Sequence, residues 1–163
     1  MEHGEESRLS LSEETLLRQD METFIGPNSR VYLKQWDKWE GDVEKVKFSW
    51  LWPAFFMPDI WLIYRKLYLV FLFIYLFVLP VVYLIYPPAT LVLSTLLRLF
   101  FATMGKLLYL QRVKRIVVEI RKPNLSDNEI HSEVLKKGGV ATGFAIALAC
   151  MYVVGIFATL VPG

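Results

Sequence analysis

The sequence predicts an all-α membrane protein, with three transmembrane helices preceded by a cytoplasmic aromatic helix and an interfacial or re-entrant helix. Three observations predict this class. Hydrophobic residues make up 55% of the 163 residues, which is high for a soluble globule of this size. Stretches near 67–86, 89–104 and 140–161 are almost free of charge. Acidic and basic residues concentrate in the segments around them, as expected of loops that flank membrane spans.

Overall charge and cysteine content exclude several classes of function. The 18 Lys and Arg residues nearly balance the 16 Asp and Glu residues, so no basic field indicates nucleic acid as a partner. Cys150 is the single cysteine, so the chain forms neither an intrachain disulfide nor a thiolate metal cluster. Residues 1–20 are acidic and lack a basic segment followed by an apolar run, which excludes a cleaved signal peptide. We therefore expect the internal spans to direct insertion.

The N-terminal residues 1–23 are predicted to form an acidic mobile tail, because acidic side chains are frequent and large apolar ones are few. Ser10 and Glu13 fit a capping box, so a short helix after Ser10 is an open alternative. Composition divides the remaining chain into cytoplasmic and interfacial aromatic helices over 24–66 and a three-span membrane domain over 67–161, with a cytoplasmic loop at 105–139.

Aromatic residues mark two short helices ahead of the first span. Residues 29–39 repeat large rings at three- and four-residue intervals, which predicts a helix with an aromatic face. We interpret these rings as a small core rather than a ligand cage. Residues 48–64 are apolar but interrupted by prolines and Asp59, so they lie at the interface or re-enter the bilayer. The candidate face for a partner protein combines both regions: Tyr32, Trp36, Trp39, Trp50, Trp52, Trp61, Tyr64 and Arg65.

The first span, 67–86, is uncharged and long enough to cross a hydrocarbon core of about 30 Å, with Pro80 as a possible kink. The second span, 89–104, is expected to continue as one helix out of the membrane until Pro123. The basic face of that extension lies on anionic headgroups or is solvated, and the sequence leaves both open. The basic flanks of this hairpin predict a cytoplasmic N-terminus and a C-terminus on the periplasmic or extracellular side.

A short helix and the third span complete the prediction. Ser126 and Glu129 form a capping-box pattern, and the helix that begins there should end at Gly138 and Gly139. The third span, 140–161, carries small residues on one face, which predicts close packing against the second span. The first span then presents more of its surface to lipid or to a partner protein. The small face comprises Ala141, Ala145 and Ala149.

Arg98 is the one charge within the predicted spans. Counting from Pro88 at about 1.5 Å per residue places it about 15 Å deep, near the middle of the bilayer. Ser94 and Thr95 lie on the same side of the helix, so we expect Arg98 to face inward. It serves either as an ion, proton or anionic-ligand site, or it bonds a backbone carbonyl, a lipid phosphate or a carboxylate in order to be tolerated. Its candidate counterion is Asp59.

No catalytic or cofactor-binding motif is evident, so we expect no enzyme activity, no cofactor and no metal. His131 lacks a cysteine or second histidine at ligand spacing, and we interpret it as a surface residue. Cys150 lies among small residues within a span and is predicted to pack there. The sequence contains neither a glycine-rich phosphate loop nor a Ser/His/Asp arrangement. The expected partners are the lipid bilayer and other membrane proteins or a second copy of the chain.

One aromatic signature resembles a known family. The run S-W-L-W-P-A-F-F at 49–56, followed by W-L-I-Y-R-K-L-Y at 61–68, resembles a widespread family of small bacterial inner-membrane proteins defined only as a domain of unknown function. The likeness extends over about residues 24–160. Pro53 and Asp59 depart from the family pattern W-x-W…A-F-F…W-L-x-Y-R-K-x-Y. The resemblance implies a bacterial inner-membrane location and brings no activity, cofactor or catalytic residue.

These observations favour a structural or accessory membrane component that binds other proteins. The alternative is a subunit of a small transporter or channel that uses Arg98.

Overall fold

The computed structural model describes residues 2–44, 48–121 and 125–160. All regular structure in these residues is helical, which confirms the predicted all-α class for this part of the chain. The helices follow in this order: α1 (Glu2–Ile25), α2 (Ser29–Lys38), α3 (Trp52–Phe56), α4 (Pro58–Tyr64), α5 (Tyr68–Leu72), a π-helical segment (Phe73–Val78), α6 (Leu79–Ile85), α7 (Pro87–Arg121), α8 (Asp127–Lys137) and α9 (Thr142–Leu160).

Among the described residues, three helical stretches are long and apolar enough to cross a membrane: Tyr68–Ile85, Pro87–Arg121 and Asp127–Gly155. They contain the core of each predicted span. The second one continues past its apolar part as far as Arg121, which confirms a single long helix. Its predicted end at Pro123 lies outside the described residues.

The chain divides into two compact units. Unit 1 comprises Met1–Lys47 and Lys106–Gly139, and unit 2 comprises Phe48–Gly105 and Val140–Gly163. The division falls inside α7, so that the first part of this helix belongs to unit 2 and the rest to unit 1.

In unit 1, α1 occupies the region where the sequence predicts a mobile tail, and it begins at Glu2 rather than after Ser10. Tertiary contacts stabilise the last turns of α1, and such contacts cannot be predicted from local composition. Met21 and Ile25 are fully buried, and α1 contacts both α2 and α8. Arg121 Nε donates a hydrogen bond of 2.6 Å to the buried Asp20 carboxylate. Burial and this ion pair offset the entropy of ordering an acidic segment.

The aromatic face of α2 lies in the core of unit 1, as the sequence predicts. The ring centroids of Tyr32 and Tyr109 are 5.0 Å apart in an edge-to-face arrangement. Lys114 Nζ lies 5.7 Å from the ring centre of Trp36, a cation–π distance. The chain then turns away at Gly41, where φ is +68° and an added Cβ would lie 3.1 Å from Trp36. Glycine suits this turn both conformationally and sterically.

The predicted capping box of α8 is present. The Ser126 backbone N–H and hydroxyl donate to the Glu129 carboxylate at 2.9 and 2.7 Å. The helix ends at Gly138, where an added Cβ would lie 2.6 Å from the Phe24 carbonyl oxygen. Gly139 donates its N–H to that same oxygen at 2.7 Å. The close approach of α1 therefore requires a residue without a side chain at position 138.

In unit 2, α4 packs beside the first part of α7. Trp61 is buried, and a side chain at Gly105 would meet its ring at 3.1 Å. The extended segment before α3 is also tied to α7, because the Leu51 N–H donates to the Ala102 carbonyl at 2.7 Å. These contacts hold the predicted interfacial or re-entrant segment against an apolar helix.

The small face of α9 is a packing face. Ala145 is buried, α9 contacts α4, and the Ala141 N–H donates to the Tyr64 carbonyl at 3.0 Å. Gly143, on an adjacent face, has no atom within 4 Å of an added Cβ. The small residues thus bring α9 close to α4, whereas packing of the third predicted span on the second stays a prediction.

The first predicted span contains a π-helical segment and is largely exposed within unit 2. Pro80 has no N–H and its ring crowds the carbonyl one turn earlier, which accounts for the wider π-helical turn at Phe73–Val78. Across α5, the π-helical segment and α6, Ile74 is the one buried residue. Contact of this exposed surface with lipid or a partner stays a prediction.

Candidate functional site: a polar cluster among apolar helices

Asp59 lies in the first turn of α4 and is buried, with 7% of its surface exposed. Its carboxylate accepts a hydrogen bond from the hydroxyl of Tyr152 in α9. A buried carboxylate without a donor would be strongly destabilising, so this bond explains how Asp59 is tolerated. It also links α4 to α9 within unit 2.

Arg98 donates from one guanidinium nitrogen to the backbone carbonyl of Phe56 at 2.8 Å. This carbonyl ends α3: Met57 leaves the helical conformation, and Pro58 begins α4 without an N–H to donate. A cation at a helix C-terminus satisfies such a free carbonyl. The geometry matches one of the predicted alternatives, in which Arg98 is tolerated by bonding a backbone carbonyl.

The predicted inward orientation of Arg98 is wrong for the described structure. Ser94, Thr95, Ala102 and Gly105 form a stripe of small residues on the Arg98 side of α7. Ala102 and Gly105 are buried, but Arg98 itself is exposed. Ser94 and Thr95 do not bond to it, since both hydroxyls donate at 2.9 Å to the Leu91 carbonyl of their own helix. The stripe is therefore packed only at its C-terminal end.

The proposed counterions Asp59 and Arg98 take different partners rather than forming an ion pair. The carboxylate is bonded to Tyr152, whereas the guanidinium is bonded to Phe56. Both charges nevertheless act electrostatically on the hydroxyls of Tyr75 and Tyr152, which places all four side chains in one neighbourhood. We call Asp59, Tyr75, Arg98 and Tyr152 the polar cluster.

Sequence reasoning missed the two tyrosines of the polar cluster. A signal for Tyr152 was present, because it follows Ala145 and Ala149 at helical spacing and so continues the face that packs on α4. Tyr75 lies in the π-helical segment, where ordinary helical spacing does not apply.

Most residues of the predicted partner face are buried, so they are not available to a partner protein as predicted. Tyr64 is half-buried. The buried residues are Tyr32, Trp36, Trp39, Trp61 and Arg65. The Arg65 guanidinium stacks 5.2 Å from the ring centre of Tyr64.

Two of the predicted residues remain at the surface: Trp50 is 41% and Trp52 is 60% exposed. They contact each other edge to face, with ring centroids 5.3 Å apart, and Trp52 stacks on Phe56 at 5.7 Å. Phe56 is also exposed. We call Trp50, Trp52 and Phe56 the exposed aromatic cluster.

His131 and Cys150 are both exposed, so the packing role predicted for Cys150 is wrong. The described part of the chain contains no group of three or more His, Cys, Asp or Glu residues placed to hold a metal ion.

In unit 1, a bidentate ion pair joins α1 to α2. Arg18 Nε and a terminal nitrogen donate to the two carboxylate oxygens of Asp37, each at 2.9 Å. This pairing lowers the pKa of Asp37 and raises the pKa of Arg18. Both side chains are nearly half exposed, so water screens their attraction.

Comparison with known proteins gives one match. Residues 7–115 match the family described as Protein of unknown function (DUF2628). The chain belongs to the DUF2628 family. The prediction of a family of unknown function is thereby confirmed, while the aromatic signature proposed for it stays a prediction. The DUF2628 match includes Asp59, Tyr75 and Arg98, and ends before Tyr152. No curated protein and no solved structure matches the chain.

Proposed function

We propose that this DUF2628 protein is a three-span integral protein of the bacterial inner membrane that acts as a structural or accessory component by binding another membrane protein. Its N-terminus lies in the cytoplasm and its C-terminus on the opposite side. Three apolar helical stretches support the spans, and the basic residues that flank the first two support the orientation. The family resemblance of the aromatic run supports the bacterial location.

The exposure of Arg98 carries the proposal of a protein partner. A charged side chain at the centre of a membrane helix costs about 2.5–3.5 kcal/mol on insertion scales, and such residues usually face protein or water. In unit 2 the Arg98 side chain is instead exposed, on a helix whose neighbouring leucines are exposed as well. A second protein that covers this side of α7 would remove the guanidinium from hydrocarbon.

The exposed aromatic cluster extends the same proposal to the segment that Arg98 contacts. Trp50, Trp52 and Phe56 form a ring patch next to the carbonyl that Arg98 binds. Large, rigid rings supply much of the contact energy in protein interfaces. We therefore assign the partner surface to this cluster together with the exposed side of α7.

A pull-down from native membranes in mild detergent tests the proposal. We expect a membrane protein to be recovered in stoichiometric amount, and its recovery to fall at least tenfold in a Trp52→Ala/Phe56→Ala variant. Tyr83→Ala is the matched control, because Tyr83 is equally exposed but lies in α6 outside the patch. Recovery of the chain with lipid alone would contradict a protein partner.

Labelling of engineered cysteines tests the orientation. With Cys150 replaced by serine, a cysteine at Ser7 should react with an impermeant maleimide only after the cells are opened. A cysteine at Pro162 should react in intact spheroplasts. Reaction of both sites on the same side would contradict three spans.

The alternative function is a small transporter or channel subunit, and the polar cluster favours it. Two opposite charges and two hydroxyls lie close together among apolar helices, a composition also found along ion and proton paths. In that case Asp59→Asn and Arg98→Gln should each abolish ion-dependent flux in reconstituted vesicles. For an accessory protein, vesicles that contain this chain alone should show no flux above empty vesicles.

A further inference from the structure

We infer that Arg98 is the recognition point for an acidic side chain in a transmembrane helix of the partner protein. This inference rests on the proposed function and adds the chemistry of the partner. Its basis is an incompletely bonded guanidinium at the surface of an apolar helix, together with the unavailability of this chain's own carboxylates.

The bonding of Arg98 is incomplete. A guanidinium carries five N–H donors, and among the described residues one nitrogen of Arg98 has an acceptor, the Phe56 carbonyl. That acceptor is uncharged. The side chain is exposed, so a partner protein can reach its remaining donors. In hydrocarbon each unsatisfied donor is costly, so an acceptor from outside is required.

The chain itself does not supply this acceptor. Asp59 is the only acidic residue between Lys47 and Glu119 in the sequence. It is 7% exposed and already accepts the Tyr152 hydroxyl. A second copy of the chain would present the same buried Asp59, so self-association brings no free carboxylate to this depth. The partner is therefore a different protein.

A carboxylate on a helix fits the site better than a lipid phosphate. Arg98 lies eleven residues after Pro87 and eight before Lys106, so at about 1.5 Å per residue it is more than 10 Å from either end of the apolar part of α7. Phosphates lie at the bilayer surface, whereas a partner helix can place a carboxylate at any depth. Carboxylates also match the fork of the guanidinium with two parallel bonds.

The surface beside Arg98 admits a helix. Ser94 and Thr95 lie one turn away toward the N-terminus, and their small side chains allow close approach of a second backbone. Their hydroxyls are already satisfied by the Leu91 carbonyl, so packing a helix over them leaves no donor unpaired. The small side chains then provide close helix packing, and Arg98 provides specificity for a partner helix with a carboxylate.

Synthetic transmembrane peptides test the inference directly. The full-length protein in phosphatidylcholine vesicles at pH 8 is titrated with labelled Leu/Ala helices that carry one central Asp, and binding is followed by energy transfer. We expect the Asp peptide to bind about tenfold more tightly than the same peptide with Asn. Arg98→Gln should remove this preference, and Arg98→Lys should retain part of it. Arg115→Gln, an exposed arginine in unit 1, should leave it unchanged.

Equal binding of the Asp and Asn peptides to the wild-type protein would overturn the inference, and this comparison requires no variant to fold. A preference that survives Arg98→Gln in protein of unchanged helix content would also overturn it. So would loss of the preference in phosphatidylglycerol vesicles, because that result assigns Arg98 to lipid phosphate.

The native pull-down separates this inference from the proposed function. If the partner is recovered equally well with Arg98→Gln, the carboxylate inference fails and the accessory function stands. If no protein is recovered with either chain, the accessory function fails.

Discussion

The two parts of α7 bury their apolar residues in opposite ways. In unit 1, Leu110, Val113 and Val117 of this helix are fully buried. In unit 2, Leu91 and Leu96 of the same helix are more than half exposed. The unit 1 part alternates apolar with charged positions, whereas the unit 2 part is apolar on most sides.

The difference is what the proposed membrane insertion predicts for one continuous helix that leaves the bilayer and enters water. In unit 1 the hydrophobic effect drives leucine and valine inward and leaves the charges in water. In the proposed bilayer, lipid is as apolar as leucine, so exposure of the unit 2 residues would carry little penalty and specific contacts would come from packing and polar groups. In unit 2 we therefore expect the specific contacts to come from the polar cluster and the exposed aromatic cluster.

The largest expected effect is the loss of folding stability caused by a cavity in unit 1. Leu110→Ala should reduce the free energy of unfolding of unit 1 by about 2–5 kcal/mol, since Leu110 is fully buried. Leu96→Ala, in the same helix but 56% exposed, should cost less than about 1 kcal/mol in detergent micelles. Amide hydrogen exchange in mild detergent measures both, in unit 1 for Leu110→Ala and in unit 2 for Leu96→Ala. Equal losses would remove the contrast between the two parts of α7.

An intermediate effect is expected from the polar cluster. Tyr152→Phe deletes the hydroxyl that donates to Asp59 and leaves a buried carboxylate without this donor, which should cost about 1–2 kcal/mol. Tyr83→Phe, an exposed tyrosine of α6, should be near neutral. The midpoint of unfolding by added dodecyl sulfate in mixed micelles gives the comparison. An unchanged midpoint for Tyr152→Phe would show that the bond is dispensable.

The smallest effect is expected for the Arg18–Asp37 pair, which water screens. Asp37→Asn should cost about 0.5 kcal/mol at neutral pH. Arg18 lowers the pKa of Asp37 in the folded chain, so the contribution is complete above the ordinary aspartate pKa of about 3.9. It is lost as the pH falls below that value through the lower folded pKa.

Thermal melting of the wild type and Asp37→Asn at pH 7 and pH 3 measures this contribution by difference. The gap between the two proteins should be smaller at pH 3 than at pH 7, and high salt should narrow it at pH 7. A gap that widens with acid would contradict the assigned sign.

Local signals predicted much of the fold. The apolar stretches, the capping box at Ser126 and the glycine stop at Gly138 each reside in a few neighbouring residues, and the structure has all of them. The order of α1 was not predictable in this way, because it depends on Met21 and Ile25 being covered by distant parts of unit 1.

The candidate site was predictable only in part for the same reason. Asp59 and Arg98 stood out as charges in apolar surroundings, but their actual partners did not. Tyr152 is 93 residues from Asp59 along the chain, and the acceptor of Arg98 is a backbone carbonyl that any residue type provides. The sequence therefore showed where the two charges lie but not which groups they bond.

The π-helical turn at Phe73–Val78 has a consequence for how the first predicted span tolerates changes in length. Each hydrogen bond there closes around one residue more than in an α-helix. Deleting one residue within the turn would restore ordinary winding and leave α6 facing nearly the same way relative to α5, because the wider turn rotates the chain less per residue. The turn thus absorbs one residue without changing the faces of the two helical halves, and aligned family members with a one-residue gap should place it here.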